Sequence, residues 1–122
     1  MTPTSTKFAV QNSLLFVRDP ALLDLPFIWD IKPVWSTPSC VAVACRPDCD
    51  GETEIIIGPS KDVGPGRPPV FEGSIKSPSR LLIVETAHDQ EVLRQNVPNT
   101  NARVRIWTDG HLDTGTVIIG LE

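Results

Sequence analysis

An antiparallel β-sandwich of about seven to nine strands is the fold this sequence predicts, and three observations carry it. Apolar and polar residues alternate in short runs, the period of a strand with one buried face. No segment sustains a 3.6-residue apolar period, so neither long helices nor strand–helix–strand units are expected. The 12 prolines and 8 glycines among 122 residues punctuate the chain too often for long helices. A closed barrel is the second architecture these observations admit.

Taken in order, residues 1–6 are small and polar and are expected to form a disordered tail on a single domain spanning 1–122. Residues 13–18 (SLLFVR) read as a strand that stops at Asp19-Pro20. Between 20 and 38, Phe27, Ile28, Trp29, Ile31, Val34 and Trp35 give core-forming bulk, while Pro26, Pro33 and Pro38 interrupt it. An extended, packed connection with one or two very short strands is expected there. Residues 39–46 (SCVAVACR) and 52–58 (ETEIIIG) read as strands joined by Pro47-Asp48-Cys49-Asp50-Gly51, and together they predict a hairpin. Residues 58–69 are a Gly/Pro loop, and 70–75 a short strand. Residues 79–86 (SRLLIVET) form a strand whose continuous apolar middle marks a central or doubly buried position. Residues 91–97 fit either one turn of helix or an edge strand ending at Pro98. In 102–108 (ARVRIWT), Val104 and Ile106 face one way and Arg103, Arg105 and Trp107 the other. Asp109-Gly110 is a turn, and residues 115–121 (GTVIIGL) are the closing strand.

The formal net charge is −4 and the isoelectric point about 5.1. That balance lacks the basic footprint of a nucleic-acid or anionic-membrane binder, so neither partner is expected. No apolar run approaches the roughly 18 residues of a membrane-spanning helix. No apolar leader behind a basic start is readable either. With an odd count of three cysteines, Cys40, Cys45 and Cys49, this predicts reduced thiols in the cytoplasm and no structural disulfide.

Few residues carry a signature of chemistry. Asp48, Asp50, Glu52 and Glu54 are the densest charge cluster and equal the whole net charge of −4. Placing Gly51 at the sixth position of a calcium loop puts Arg46 first and Ile57 twelfth, which excludes an EF-hand. The cysteine spacing lacks the paired units of zinc sites, and Cys40 and Cys45 fall on opposite strand faces. The glycines of 58–69 lack a phosphate-binding ending, and the prolines there remove the donors such a cradle needs. His88 beside Asp89, and His111 between Asp109 and Asp113, lie in turns with no nucleophile elbow nearby. Hence no catalytic residue, no metal and no cofactor is expected. The partner-binding candidates are Asp48, Asp50, Glu52 and Glu54 at the turn, and Arg103, Arg105 and Trp107 on one strand face, where tryptophan is a common interface anchor.

The order of features resembles a group of small bacterial β-sandwich proteins. The features are the opening strand Leu14-Leu15-Phe16-Val17 before Asp19, the Trp29 to Trp35 segment, and the strands around Val41 and Ile56. Then comes Val70-Phe71-Glu72-Gly73 ahead of a Leu/Ile/Val strand and a closing pair. The layout is similar to that of the competence-nuclease inhibitor (competence protein J) type. That resemblance implies a non-enzymatic protein that binds and blocks a nuclease or toxin, as immunity proteins do. It rests on layout and transfers no functional residue. A proline-glycine step expected before the penultimate strand is here Val97-Pro98-Asn99-Thr100. The expected partner is a basic nuclease or toxin. Two other readings compete: an assembly module forming a homodimer through a sheet edge, and a small metal-dependent enzyme or binder using the acidic turn.

Overall fold

The computed structural model describes residues 2–110 and 112–122. Ten strands form two five-stranded sheets packed face to face, one or more above the number expected. In the first sheet the order is β1 (Thr4–Phe8), β5 (Thr53–Pro59), β10 (Thr116–Leu121), β9 (Asn101–Thr108) and β6 (Phe71–Lys76). In the second it is β3 (Val34–Thr37), β4 (Cys40–Ala44), β2 (Leu14–Arg18), β7 (Leu81–Thr86) and β8 (Glu91–Asn96). Among the described residues only the β5–β10 pair is parallel. The sheets stay open, so the arrangement is a sandwich and not a barrel. Among the described residues no helix is long and apolar enough to cross a membrane.

Period-two patterning builds the core. Leu15, Val17, Val41, Val43, Leu82 and Val84 of the second sheet face Ile55, Ile57, Val104, Ile106, Val117 and Ile119 of the first, all wholly buried. Each such side chain contributes roughly 1.5–3 kcal/mol relative to exposure. Val104 and Ile106 point inward and Arg103, Arg105 and Trp107 outward, as the alternation of β9 requires. The apolar run of β7 is explained by its place between β2 and β8. The ambiguous 91–97 segment is the edge strand β8.

Two expectations are corrected. The N-terminal tail is ordered from Thr4, because β1 pairs along the whole outer edge of β5, from Thr4 opposite Ile57 to Phe8 opposite Thr53. And β4 and β5 do not form a hairpin. Both sides of β4 are taken by β2 and β3, and both sides of β5 by β1 and β10. The turn residues instead carry the chain from one sheet to the other. Asp48–Asp50 form a short 3-10 turn, Gly51 takes a left-handed φ of 117°, and Arg46 and Glu54 bond backbone-to-backbone with Thr114 and Gly115. Val43 and Ile55 therefore belong to opposite sheets of one core.

Asp109 organises the β9–β10 hairpin. Its Oδ1 accepts from the backbone N–H of Gly115 at 2.8 Å and of Thr116 at 3.1 Å, and from the Thr114 hydroxyl. Partial burial pushes its pKa up. The Thr114 hydroxyl and the two N–H groups more than offset this, so the carboxyl sits below the usual 3.8. A lowered folded value means stability that is complete above 3.8 and drains away as pH falls through the folded value. Urea midpoints measured down the acid limb are expected to fall less steeply for Asp109→Asn than for the wild type.

Candidate protein-binding surfaces

The acidic cluster lies at the sheet-to-sheet corner. Asp48, Asp50 and Glu52 are exposed, and Glu54 is half-buried. The Asp48 carboxylate accepts from the neighbouring Cys49 N–H at 3.0 Å. Glu52 and Glu54 line a shallow groove with Lys7, Arg46, Gly115 and Thr116. Lys7 stands opposite Glu54 on β1, and the Arg46 guanidinium covers Gly115 so closely that a side chain there would collide with it. The corner thus has an acidic tip at Asp48 and Asp50, and a mixed groove behind it.

Arg103 and Arg105 lie at the other end of the same face. Glu54 pairs with Thr116 and Arg105 with Gly120, so about 13 Å of β10 separates them at ~3.3 Å per residue. Both arginines are committed to Glu72 and Glu122. Arg103 lies 3.5 Å from Glu72 and 3.4 Å from Glu122, while Arg105 lies 3.0 Å from Glu122 and also bridges to Glu72. The structure therefore separates the acidic and arginine candidates into two places, the second charge-balanced.

Trp107 is not a surface residue. It is 4% exposed, roofed by the short helix α1 (Ser60–Val63) and the loop after it. Its Nε1 donates to the Arg67 carbonyl at 2.7 Å. A side chain at Gly120 would meet both Ser60 and the Trp107 ring, so glycine is what lets α1 lie on β10. The expectation of an accessible indole flanked by arginines is corrected: the Gly/Pro segment 58–69 is folded over it.

The residues sequence reasoning placed wrongly are those between β2 and β3. Leu23, Phe27, Trp29 and Ile31 are 74%, 82%, 75% and 78% exposed. They belong to a strap, residues 19–33, that lies across the outer face of the second sheet. Beneath it Phe16, Cys40 and Ala42 are buried with Leu14 and Trp35 packed on them. Polar groups tie the strap down. Arg18 pairs with Glu85 and donates to the Leu22 carbonyl at 2.9 Å. Asp24 accepts from Ser39 Oγ at 3.1 Å, and its carbonyl from Thr37 Oγ1 at 2.8 Å. Asp30 accepts from Trp35 Nε1 at 2.9 Å. That indole bond, with Lys32 at 3.2 Å, holds the Asp30 carboxyl below its usual value. The wholly buried Asp19 accepts from the Ala21 and Ser79 N–H groups at 2.8 and 2.7 Å, fixing the start of the strap to the β6–β7 turn.

Cys40, Cys45 and Cys49 are free thiols, with Cys45 in the main core and Cys40 under the strap, on opposite faces of the strand line as expected. Burial pushes Cys40 up to about 12 and Cys45 up to about 11. At neutral pH only the exposed Cys49 is expected to react with a thiol reagent in the folded protein, and three thiols after unfolding. Among the described residues no group of three His, Cys, Asp or Glu side chains is placed to hold a metal ion. His88 is exposed with its Nε2 accepting from Asn12 at 3.2 Å, and His111 lies outside the described residues.

Fold and surface together define a two-sheet all-β protein with an acid-tipped corner and an apolar strap. Its fold is similar to that of the crystal structure of ComJ from Bacillus subtilis, an inhibitor of the DNA-degrading activity of NucA. The two superpose with a TM-score of 0.67 over 97% of this chain and 93% of that one, at 12% sequence identity. No protein-family model matches the chain, and no curated protein matches it by sequence.

Proposed function

We propose that this chain is a non-enzymatic inhibitor, of the immunity-protein kind, acting in the cytoplasm on a basic nuclease or toxin. The observation that carries the reading is the fold shared along nearly the whole chain with an inhibitor of a DNA-degrading activity. The chemistry of the corner agrees with it. An enzyme that grips a polyanion needs a cationic channel, and clustered carboxylates are drawn to such a surface. Asp48, Asp50 and Glu52 project from a turn with no covering segment, and Glu54 extends the same side of the corner. Arg103 and Arg105, neutralised by Glu72 and Glu122, form a second polar patch outside this contact, and Trp107 supports the loop above it.

Immobilised chain, exposed to an extract of its own cells at low salt, should retain a protein that elutes as salt is raised. The eluate should degrade DNA. Replacing the exposed Asp48 and Glu52 by lysine should leave the thermal midpoint nearly unchanged. It should slow association about tenfold or more, because steering by exposed charge acts on the on-rate. An unchanged on-rate and salt dependence in that variant would remove the corner as the recognition surface.

A further inference from the structure

The strap inverts the usual layout of a surface loop. Its polar groups point down: Asp24 to Ser39, Asp30 to Trp35 and the Leu22 carbonyl to Arg18. Its apolar groups point out. Phe27 and Trp29 alone present about 300–400 Å² of ring, given the roughly 150–250 Å² an aromatic side chain covers. Leu23, Leu25, Ile28 and Ile31 bring the total to about 800 Å², what one side of a standard protein interface buries. The largest apolar patch on a typical monomer is roughly 300–600 Å². Because the backbone is pinned by named hydrogen bonds, little conformational freedom would be lost on docking.

The patch is continuous with the acidic corner. Ile28 and Ile31 share a groove of about 370 Å³ with Asn12, Ala44 and Leu112. The Ala44 N–H donates to the Pro33 carbonyl at 2.9 Å, and three residues past Cys45 the chain enters the Asp48 turn. That turn packs against the 3-10 turn Gln11–Ser13 on the groove's edge. Asp48, Asp50 and Asp113, all exposed, therefore stand around one end of the apolar surface. Lys32, the cation within the strap, is held by Asp30. Two copies meeting through this surface would bring carboxylate rims together, whereas a cationic rim would complement them.

We propose that the strap is the hydrophobic centre of the docking surface. Its occupant is a protein with an apolar surface flanked by lysine or arginine, against which Phe27 and Trp29 pack. This rests on the inhibitor reading and adds where the affinity resides: the carboxylates steer, and the strap holds.

The test uses a purified amphipathic helical peptide of leucine and lysine as the probe, titrated by fluorescence anisotropy. Wild type should bind it at 1:1. Phe27→Ser/Trp29→Ser should weaken binding about 30-fold, the scale of a lost aromatic hot spot. Both side chains are exposed, so the thermal midpoint should hold. Asp48→Lys/Asp113→Lys should bind more weakly and lose most of the salt dependence. No binding by wild type, or undiminished binding by the strap variant, would overturn the proposal. So would a wild-type dimer in sedimentation that the strap variant dissociates, since the occupant would then be a second copy. Inhibition of the cell's nuclease separates the two ideas. A strap variant that inhibits as well as wild type sinks the strap alone. A wild type that binds the peptide through the strap but inhibits no nuclease removes the nuclease and leaves the strap.

Discussion

Replacing Glu85 by alanine is expected to cost about 3–5 kcal/mol of stability, because it strands the Arg18 guanidinium in a nearly dry site. The two side chains are 11% and 7% exposed, and Arg18 Nε lies 2.5 Å from Glu85 Oε1. Little of either charged group reaches water. Arg18 also holds the Asp19 and Leu22 carbonyls, at 3.3 and 2.9 Å. The pair therefore joins the outer face of the second sheet to the segment that carries the exposed aromatics. Removing both charges together, as Arg18→Met/Glu85→Leu, should restore most of the urea midpoint, since no buried ion is left without its partner. It should not restore the strap. Amide exchange in residues 20–31 is expected to rise in the double variant, although global stability recovers. A single Glu85→Ala variant with an unchanged midpoint would show that the pair is solvated.

Trp107→Ala is expected to be of similar size, about 3–5 kcal/mol, the usual cost of truncating a buried tryptophan. Its ring lies beside Gly64 and shares the surface of Gly120 with Ser60, and its Nε1 satisfies the Arg67 carbonyl. Arg67 returns a bond from Nη2 to the Thr108 carbonyl at 2.8 Å. Loss of the indole should therefore release the 60–69 segment as well as weaken the sheet. Trypsin cleavage at the exposed Lys61 reads the first effect and the urea midpoint the second. Trp107→Phe keeps most of the apolar contact and loses the bond to Arg67, so it should cost about 1 kcal/mol. An alanine variant that resists both assays would return Trp107 to the surface.

These two sites also show what the residues reveal by themselves. The facing of Arg103, Val104, Arg105 and Ile106 follows from alternation alone, since inward residues must be apolar when one face is dry. The existence of β2, β7 and β10 follows the same way. Partner choice does not. The Pro47–Gly51 stretch has the composition of a hairpin turn. Whether the next strand pairs with β4 depends on whether β2 and β3 already occupy its edges, which is a non-local fact. Alternation places Trp107 on the face opposite the core, but its cover comes from a loop some 40 residues earlier in the chain. The strap is the sharpest case. Phe27, Trp29 and Ile31 have the residue types of a core, yet the core between the sheets is filled by strand residues. The segment does alternate: Leu23, Leu25, Phe27, Trp29 and Ile31 fall at every second position, with Asp24, Pro26, Asp30 and Lys32 between them. Alternation tells which residues share a face, but not whether that face meets the core or the solvent.

The inhibitor reading is tested most directly by titrating the purified chain into a fixed amount of the DNA-degrading protein it retains from its own cells. DNA cleavage should fall linearly to a sharp endpoint at one chain per nuclease. Phe27→Ser/Trp29→Ser should blunt that endpoint while thermal stability is unchanged. Cleavage that continues undiminished at a large excess of folded chain would contradict the account.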